Sequence, residues 1–356
     1  YRLPVMEAQD RISAYLQHPE TSYIAHDAIT GWIPNPGASK ESGKYIHNRQ
    51  GIRSDGRTYA LSPGKDTVRI ALLGDSYVYG DEVALEETLG HQLEGLLGEH
   101  RAVEVINFGV GAFGMDQAYL HWKHHVQAFQ PHIVLFGLQP ENAFRNTNLV
   151  RKFYNLRALV PFMKPRFILE GDSLQLINCP TPRPERVPNI LEEFEQWPLA
   201  RYEAHFHPED FAPSWWQRSR LMAYAQDVFQ TNRFNIATNE HEAFAVDGEA
   251  ATLTLALIRK MQQDITASGA AFYLIHLPRK EDLEDLREGR PLRYAALLEA
   301  VEATATTIRP ESGFVQTQDH KAFEALFAPR RHYAGGGHGI VAERMASYLL
   351  REMELP

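Results

Sequence analysis

A single cysteine, Cys179, occurs in 356 residues, which excludes an intrachain disulfide and any thiolate-rich metal centre. Long apolar runs are missing as well. No stretch of about 18 such residues occurs, so nothing here reads as a transmembrane helix, and membrane attachment would require a segment upstream of Tyr1. Positive charge is not in excess: 36 Lys and Arg stand against 45 Asp and Glu, a formal charge of −9 spread along the chain. No basic face is offered to a phosphate backbone, so nucleic acid is not expected as a partner. What the chain does have is apolar sequence, 44% of its residues, enough for one elaborate core or two modest ones.

That apolar sequence is patterned. Short β-branched runs at residues 67–73, 103–108, 132–138, 271–277 and 314–317 read as buried strands. Between and after them, residues 84–97, 115–129, 253–267, 292–307 and 339–353 carry apolar side chains at helical spacing. Regular alternation of strand and helix predicts right-handed crossovers and a central parallel sheet of about five strands covered on both faces, an α/β fold. Its ligands are expected beyond the carboxyl ends of the strands. Residues 1–65, rich in turn signals such as Pro34-Asn35-Pro36-Gly37, are expected to wrap this core. Residues 66–148 and 249–356 form the core, and the Pro- and aromatic-rich residues 149–248 read as one large insertion.

Every chemically suggestive residue falls in a loop at a strand's carboxyl end. Val68-Arg69-Ile70-Ala71-Leu72-Leu73 runs into Gly74-Asp75-Ser76, with helix-compatible sequence beginning within about ten residues. A hydroxyl at such a turn projects from the sheet edge, and neighbouring backbone N–H groups can stabilise the charge of an acyl-transfer intermediate. The plainer alternative is that Asp75 or Ser76 only caps the next helix. A second Gly171-Asp172-Ser173 lies between Arg166-Phe167-Ile168-Leu169 and Gln175-Leu176-Ile177 and reads as a hairpin turn, since Pro180 and its neighbours prevent a following helix.

Gly74-Asp75-Ser76 with Gly80, then Asn107-Phe108-Gly109-Val110-Gly111-Ala112-Phe113-Gly114, and finally His332 followed by Gly337-His338, resemble in order the motif blocks of SGNH, or GDSL-type, hydrolases. The resemblance implies a flavodoxin-like three-layer sandwich. It also implies Ser76 as nucleophile, His332 as base and an acyl-ester substrate without cofactor or metal. The oxyanion would be held by the backbone N–H groups of Ser76 and Gly109 together with Asn142, which a one-residue shift supplies where ungapped reading of Gln139-Pro140-Glu141-Asn142 would put Glu141 at the third block's asparagine. Hydrolysis and transfer of the acyl group share this chemistry, and the resemblance favours a secreted or envelope location.

One departure is large. The positions before His332 where such proteins carry an acid hold Pro329 and Arg330. Three explanations are open: a Ser-His dyad oriented by a backbone carbonyl, an acid recruited from elsewhere such as Asp319, or a degenerate site that only binds an acylated ligand. His121 and His125 have chelating spacing, but no His-Glu-x-x-His pattern accompanies them, so a solvated helix face is expected rather than a metal. Trp215, Trp216, Leu221, Met222 and Tyr224 are candidates for a lid or acyl-chain wall. Gly31-Trp32, Pro34-Asn35 and residues 48–53 resemble a lead-in of bacterial SGNH-type proteins and are assigned a structural role.

Overall fold

The apolar runs form five strands: β1 (Val68–Leu73), β2 (Val103–Asn107), β3 (Ile133–Leu138), β4 (Ala271–His276) and β5 (Thr307–Ile308). They pair in the order β5-β4-β3-β1-β2, all parallel. The computed structural model describes residues 4–155, 158–208, 221–222, 224–225, 228–229 and 244–352. Successive side chains of β1 point to opposite faces, as the period of two requires. Ile70 and Leu72 face the apolar layer of helices α2 (Leu89–Gly98) and α6 (Gly335–Glu352). Ala71 and Leu73 face the layer that contains α3 (Met115–His121), α4 (Glu249–Ala267) and α5 (Ala295–Glu302). The protein is therefore a flavodoxin-like three-layer sandwich. The chain leaves β1 towards one side of the sheet and β3 towards the other, so a crevice opens above the carboxyl ends of these two neighbours.

The fifth strand is not where the apolar run at 314–317 places it. β5 is only the pair Thr307–Ile308, set against Leu274 and Ile275, and Pro310, which has no N–H, stands two residues beyond it. Residues 311–315 are helical instead: Phe314 packs among the side chains of α6, and Glu311 Oε1 is fixed by His276 Nδ1 at 2.5 Å. Four or five apolar residues cannot distinguish a buried strand from one buried helical turn.

Arg166–Glu170 and Ser173–Ile177 are an antiparallel hairpin in which Glu170 faces Ser173 across the Gly171-Asp172 turn, with Gly171 at φ +60°. Ser173 is exposed on that turn and leads into a strand rather than a helix. No helix of the described residues is long and apolar enough to cross a membrane.

Candidate active site

Ser76 opens a four-residue helix, α1 (Ser76–Tyr79), immediately beyond β1. Asp75 caps it through Oδ1, which accepts from Tyr77 N at 3.0 Å. Its other oxygen accepts from Asn142 Nδ2 at 3.0 Å and from Arg145 Nη1 at 2.7 Å. Asp75 has no solvent exposure, so this buried carboxylate is compensated on both oxygens and pins the helix start behind the serine. Gly80, at φ +81°, ends α1 in the left-handed conformation that a side chain resists. The result is a short rigid platform that carries Ser76 Oγ into the crevice.

His332 comes from the loop before α6. Its Nε2 lies 2.9 Å from Ser76 Oγ, and its Nδ1 lies 2.7 Å from Glu82 Oε2. A serine hydroxyl, an imidazole and a carboxylate therefore form one hydrogen-bonded line. Tyr77 flanks the imidazole, ring centroids 5.1 Å apart, and Ala328 N donates to the His332 carbonyl at 2.8 Å, which holds the loop. Asp319, the acid considered from sequence, is elsewhere: it caps the helix His320–Glu324 through Ala322 N. The acid beside His332 is Glu82, which lies six positions beyond the serine rather than before the histidine.

Glu82 is buried to 7% exposure and accepts from three donors of the histidine loop: Arg330 N at 2.8 Å, His332 N at 3.3 Å and the imidazole. Burial raises the pKa of its carboxyl, but donation from Arg330 N and the hydrogen bond and charge of His332 outweigh that, and the net shift is below the ordinary glutamate value. The sign matters for pH. A carboxylate with a lowered pKa keeps its charge, and its support of the loop, down through the usual glutamate range, and loses both only in stronger acid. Arg330, two residues before His332, complements Glu82, with Nε 3.5 Å from Oε1.

The amino-terminal segment sets the position of this acid. Glu82 has φ +75°, a strained value for a residue with a side chain. Its N–H donates to Tyr45 Oη at 2.8 Å and its carbonyl accepts from Lys44 Nζ at 2.7 Å. Buried Arg53 donates to the carbonyls of Tyr79, Gly80 and Val83, and so ties the serine helix to the Glu82 turn. Trp32 Nε1 donates to Gly111 O at 3.1 Å and holds the loop after β2. Arg53→Met would leave three carbonyls of this turn without their donor. A loss of about 3 kcal/mol in stability is expected, together with a fall in kcat larger than any change in KM. Thermal melts and steady-state kinetics check this.

Two oxyanion assignments need correction. The Gly109 N–H is occupied by Asn107 Oδ1 at 2.9 Å, and Asn142 is turned back to Asp75. Neither residue lines the crevice. Gly109 is needed for close approach: a Cβ there would stand 2.4 Å from Tyr79 N and 2.8 Å from Val78 C. Gly109→Ala must therefore displace the serine helix, and a destabilisation of about 2–3 kcal/mol is expected in denaturant titrations. Gly111, Ala112 and Gln139 do line the crevice together with Ser76. The backbone N–H groups of Ser76, Gly111 and Ala112 have no hydrogen-bond partner among the described residues, and Ala112 takes φ +67° to present that turn. Gln139 is almost fully buried, lies at the end of β3, and has its Oε1 unpaired among the described residues.

His121 is not on a solvated helix face. His121 is buried in α3 against Phe108 and Phe113, its pKa pushed down to about 3 by burial and by neighbouring His125. Among the described residues no group of three His, Cys, Asp or Glu is placed to hold a metal ion. Trp215 and Trp216 lie outside the described residues, while Leu221, Met222 and Tyr224 are exposed and take no part in the crevice lining.

No protein-family description and no curated protein matches the chain. Among solved structures, it is similar to a lipolytic protein of the G-D-S-L family from Desulfitobacterium hafniense, 12% identical over 79% of this chain and 98% of the other, TM-score 0.38. An acetylxylan esterase from Geobacillus stearothermophilus is 12% identical over 81% and 95%, TM-score 0.40. A lipase/acylhydrolase from Enterococcus faecalis is 11% identical over 80% and 96%, TM-score 0.41. At these scores the likeness decides nothing about chemistry, which rests on the side chains of the site itself. The chain is similar to these three proteins, and it carries its serine and histidine at the carboxyl edge of a parallel α/β sheet.

Proposed function

We propose that this protein is a serine-dependent carboxylic ester hydrolase or O-acyltransferase of the SGNH type that works through an acyl-enzyme on Ser76. The observation that carries the reading is the continuous line from Ser76 Oγ through His332 to Glu82, at 2.9 and 2.7 Å. A general base must lie within hydrogen-bond reach of the proton it takes, and His332 Nε2 does.

In the first half-reaction Ser76 Oγ attacks the ester carbonyl carbon while its proton passes to His332 Nε2. Glu82 keeps the Nδ1 proton in place and offsets the positive charge on the ring. The negative charge that develops on the carbonyl oxygen is met by the free N–H of Ser76 at the start of α1. The N–H groups of the Gly111-Ala112 turn supply further donors. The tetrahedral intermediate collapses, the alkoxide leaves with the proton from His332, and the acyl group remains on Ser76. Water or a second alcohol then enters, gives its proton to His332 and bonds to the acyl carbon; the bond to Ser76 Oγ breaks and His332 returns the proton to Oγ.

The crevice, about 850 Å³, is far larger than an acetyl group needs, so it has room for an alcohol of some size on either side of the ester. The alternative of a degenerate binding module drew its support from Arg330 and the altered third block; the pairing of Arg330 and His332 with Glu82 favours the enzyme reading over it. A rapid-quench experiment with a short 4-nitrophenyl ester should show a burst of nitrophenol and an acyl mass increment on the Ser76 peptide. Turnover without any increment, or an increment on another residue, would refute the acyl-enzyme. An added sugar alcohol that diverts acyl groups from water separates transferase from hydrolase.

A further inference from the structure

One cluster in the crevice is not used by this chemistry. Arg145, Arg151 and Arg279 all line it, with Glu141 between them. Arg145 is paired with two carboxylates, Nη1 donating to Asp75 at 2.7 Å and Nη2 to Glu141 at 3.3 Å, and only its Nε lacks a hydrogen-bond partner among the described residues. Arg279 is paired with Asp282, Nε to Oδ2 at 3.5 Å. Of the remaining cations of the crevice, Arg330 and Arg331 lie against Glu82 and Glu281, and Lys40 sits over the rings of Tyr23 and Tyr45.

Arg151 is left without a carboxylate of its own. Its Nη2 is 3.7 Å from Glu141, an oxygen Arg145 already claims, and its guanidinium lies over the Tyr154 ring at 4.6 Å. The side chain is 5% exposed, yet among the described residues its Nε and Nη1 have no hydrogen-bond partner, and neither does Arg279 Nη2. Burying a guanidinium with unmade hydrogen bonds is costly, and such groups are normally satisfied. Burial and the nearby charge of Arg145 push Arg151 down to about 10, which still leaves it protonated at neutral pH.

We propose that Arg151, with Arg279, forms a binding subsite for a single carboxylate carried by the substrate, so that the preferred ester is one whose alcohol or acyl part bears such a group. A planar guanidinium with unused N–H donors matches a carboxylate edge, and one cation lacking its own counter-charge matches a monoanion rather than a dianion. The subsite is linked to the chemistry by a short chain of contacts, Arg151 to Glu141 to Arg145 to Asp75, the residue next to Ser76. The substrate preference rests on the ester reading above, whereas carboxylate binding can be measured without it.

The test uses matched pairs that differ only in charge: an acetylated glucuronoside against its methyl ester, and 4-nitrophenyl hemisuccinate against 4-nitrophenyl methyl succinate. Wild type should favour the charged member of at least one pair by about tenfold or more in kcat/KM. In Arg151→Met that ratio should fall towards one, and Arg151→Lys should recover part of it. Arg279→Gln, at a less buried side chain, should lower the ratio too, and serves if Arg151→Met does not fold. No preference in either pair, or a preference unchanged in both Met and Gln variants, overturns the proposal. Calorimetric titration of Ser76→Ala with methyl glucuronoside, its methyl ester and inorganic phosphate removes catalysis from the question. Tightest binding of the carboxylate supports the subsite, while equal binding of the neutral ester, or tighter binding of phosphate, overturns it. Absence of all ester turnover in wild type would strike the ester reading and leave this titration to decide the subsite.

Discussion

His332→Ala should lower kcat on short aryl esters by about 10⁶, close to the effect of removing the nucleophile itself. Ser76 Oγ has the imidazole nitrogen within reach at 2.9 Å, and a serine hydroxyl at neutral pH is a poor nucleophile until its proton is taken. Members of one catalytic unit do not contribute additively, so Ser76→Ala and the double variant should fall to about the same floor. What remains at that floor measures the N–H groups of Ser76, Gly111 and Ala112 and the fit of the crevice. Steady-state kinetics with a 4-nitrophenyl ester distinguishes this from additive losses, which would mean that the two side chains act in separate roles.

Glu82→Gln should cost about 10⁴ in kcat with little change in KM, by the measure of the serine-protease triad acid. The reason is a count of acceptors. Glu82 receives Arg330 N, His332 N and the imidazole with two acceptor oxygens. Glutamine has one acceptor oxygen and a donor amide. Either the amide faces the backbone N–H groups of the histidine loop, or it faces Nδ1 and forces the tautomer whose Nε2 carries a hydrogen and cannot take the serine proton. Asp319→Asn is the matched control. Asp319 only caps a short helix, so at most about 1 kcal/mol of stability should be lost and kcat should stay within about twofold. A large loss from Asp319→Asn with a small one from Glu82→Gln would reverse the assignment of the acid.

The sheet was legible in the chain because its strands are buried on both sides and read as unbroken apolar runs; four of the five expected strands lie within a residue of the observed ones. The serine was legible for the same reason, since a turn at the end of such a run can only sit at the sheet's carboxyl edge. The false Gly-Asp-Ser was separated from it by the next element of the chain, a strand rather than a helix. Glu82 was hidden because attention to the residues before His332 assumes that acid and base share a loop. Space requires only that the carboxylate reach Nδ1, and the turn after the serine helix does so from six residues beyond Ser76. Two features point to that turn, its adjacent acids Asp81-Glu82 and its position directly after Gly80, but neither distinguishes a catalytic carboxylate from a solvated one without the partner loop. Gly109 and Asn142 failed for a related reason. Gly109 is where a motif places it and Asn142 one residue beyond, yet each donates to an internal acceptor, Asn107 and Asp75, a fact that depends on side-chain direction and not on spacing. The lead-in of residues 31–53 looked merely structural and proved to hold the acid: Lys44, Tyr45 and Arg53 fix the turn on which Glu82 stands.

An activated serine nucleophile can be trapped covalently, and labelling therefore decides whether Ser76 is one. Incubation of the full chain with a fluorophosphonate, followed by peptide mass spectrometry, should give one phosphonyl adduct on the peptide containing Ser76. That adduct should be absent in Ser76→Ala and strongly slowed in His332→Ala. No adduct on the folded protein, or an adduct on Ser173, would contradict the role given to Ser76.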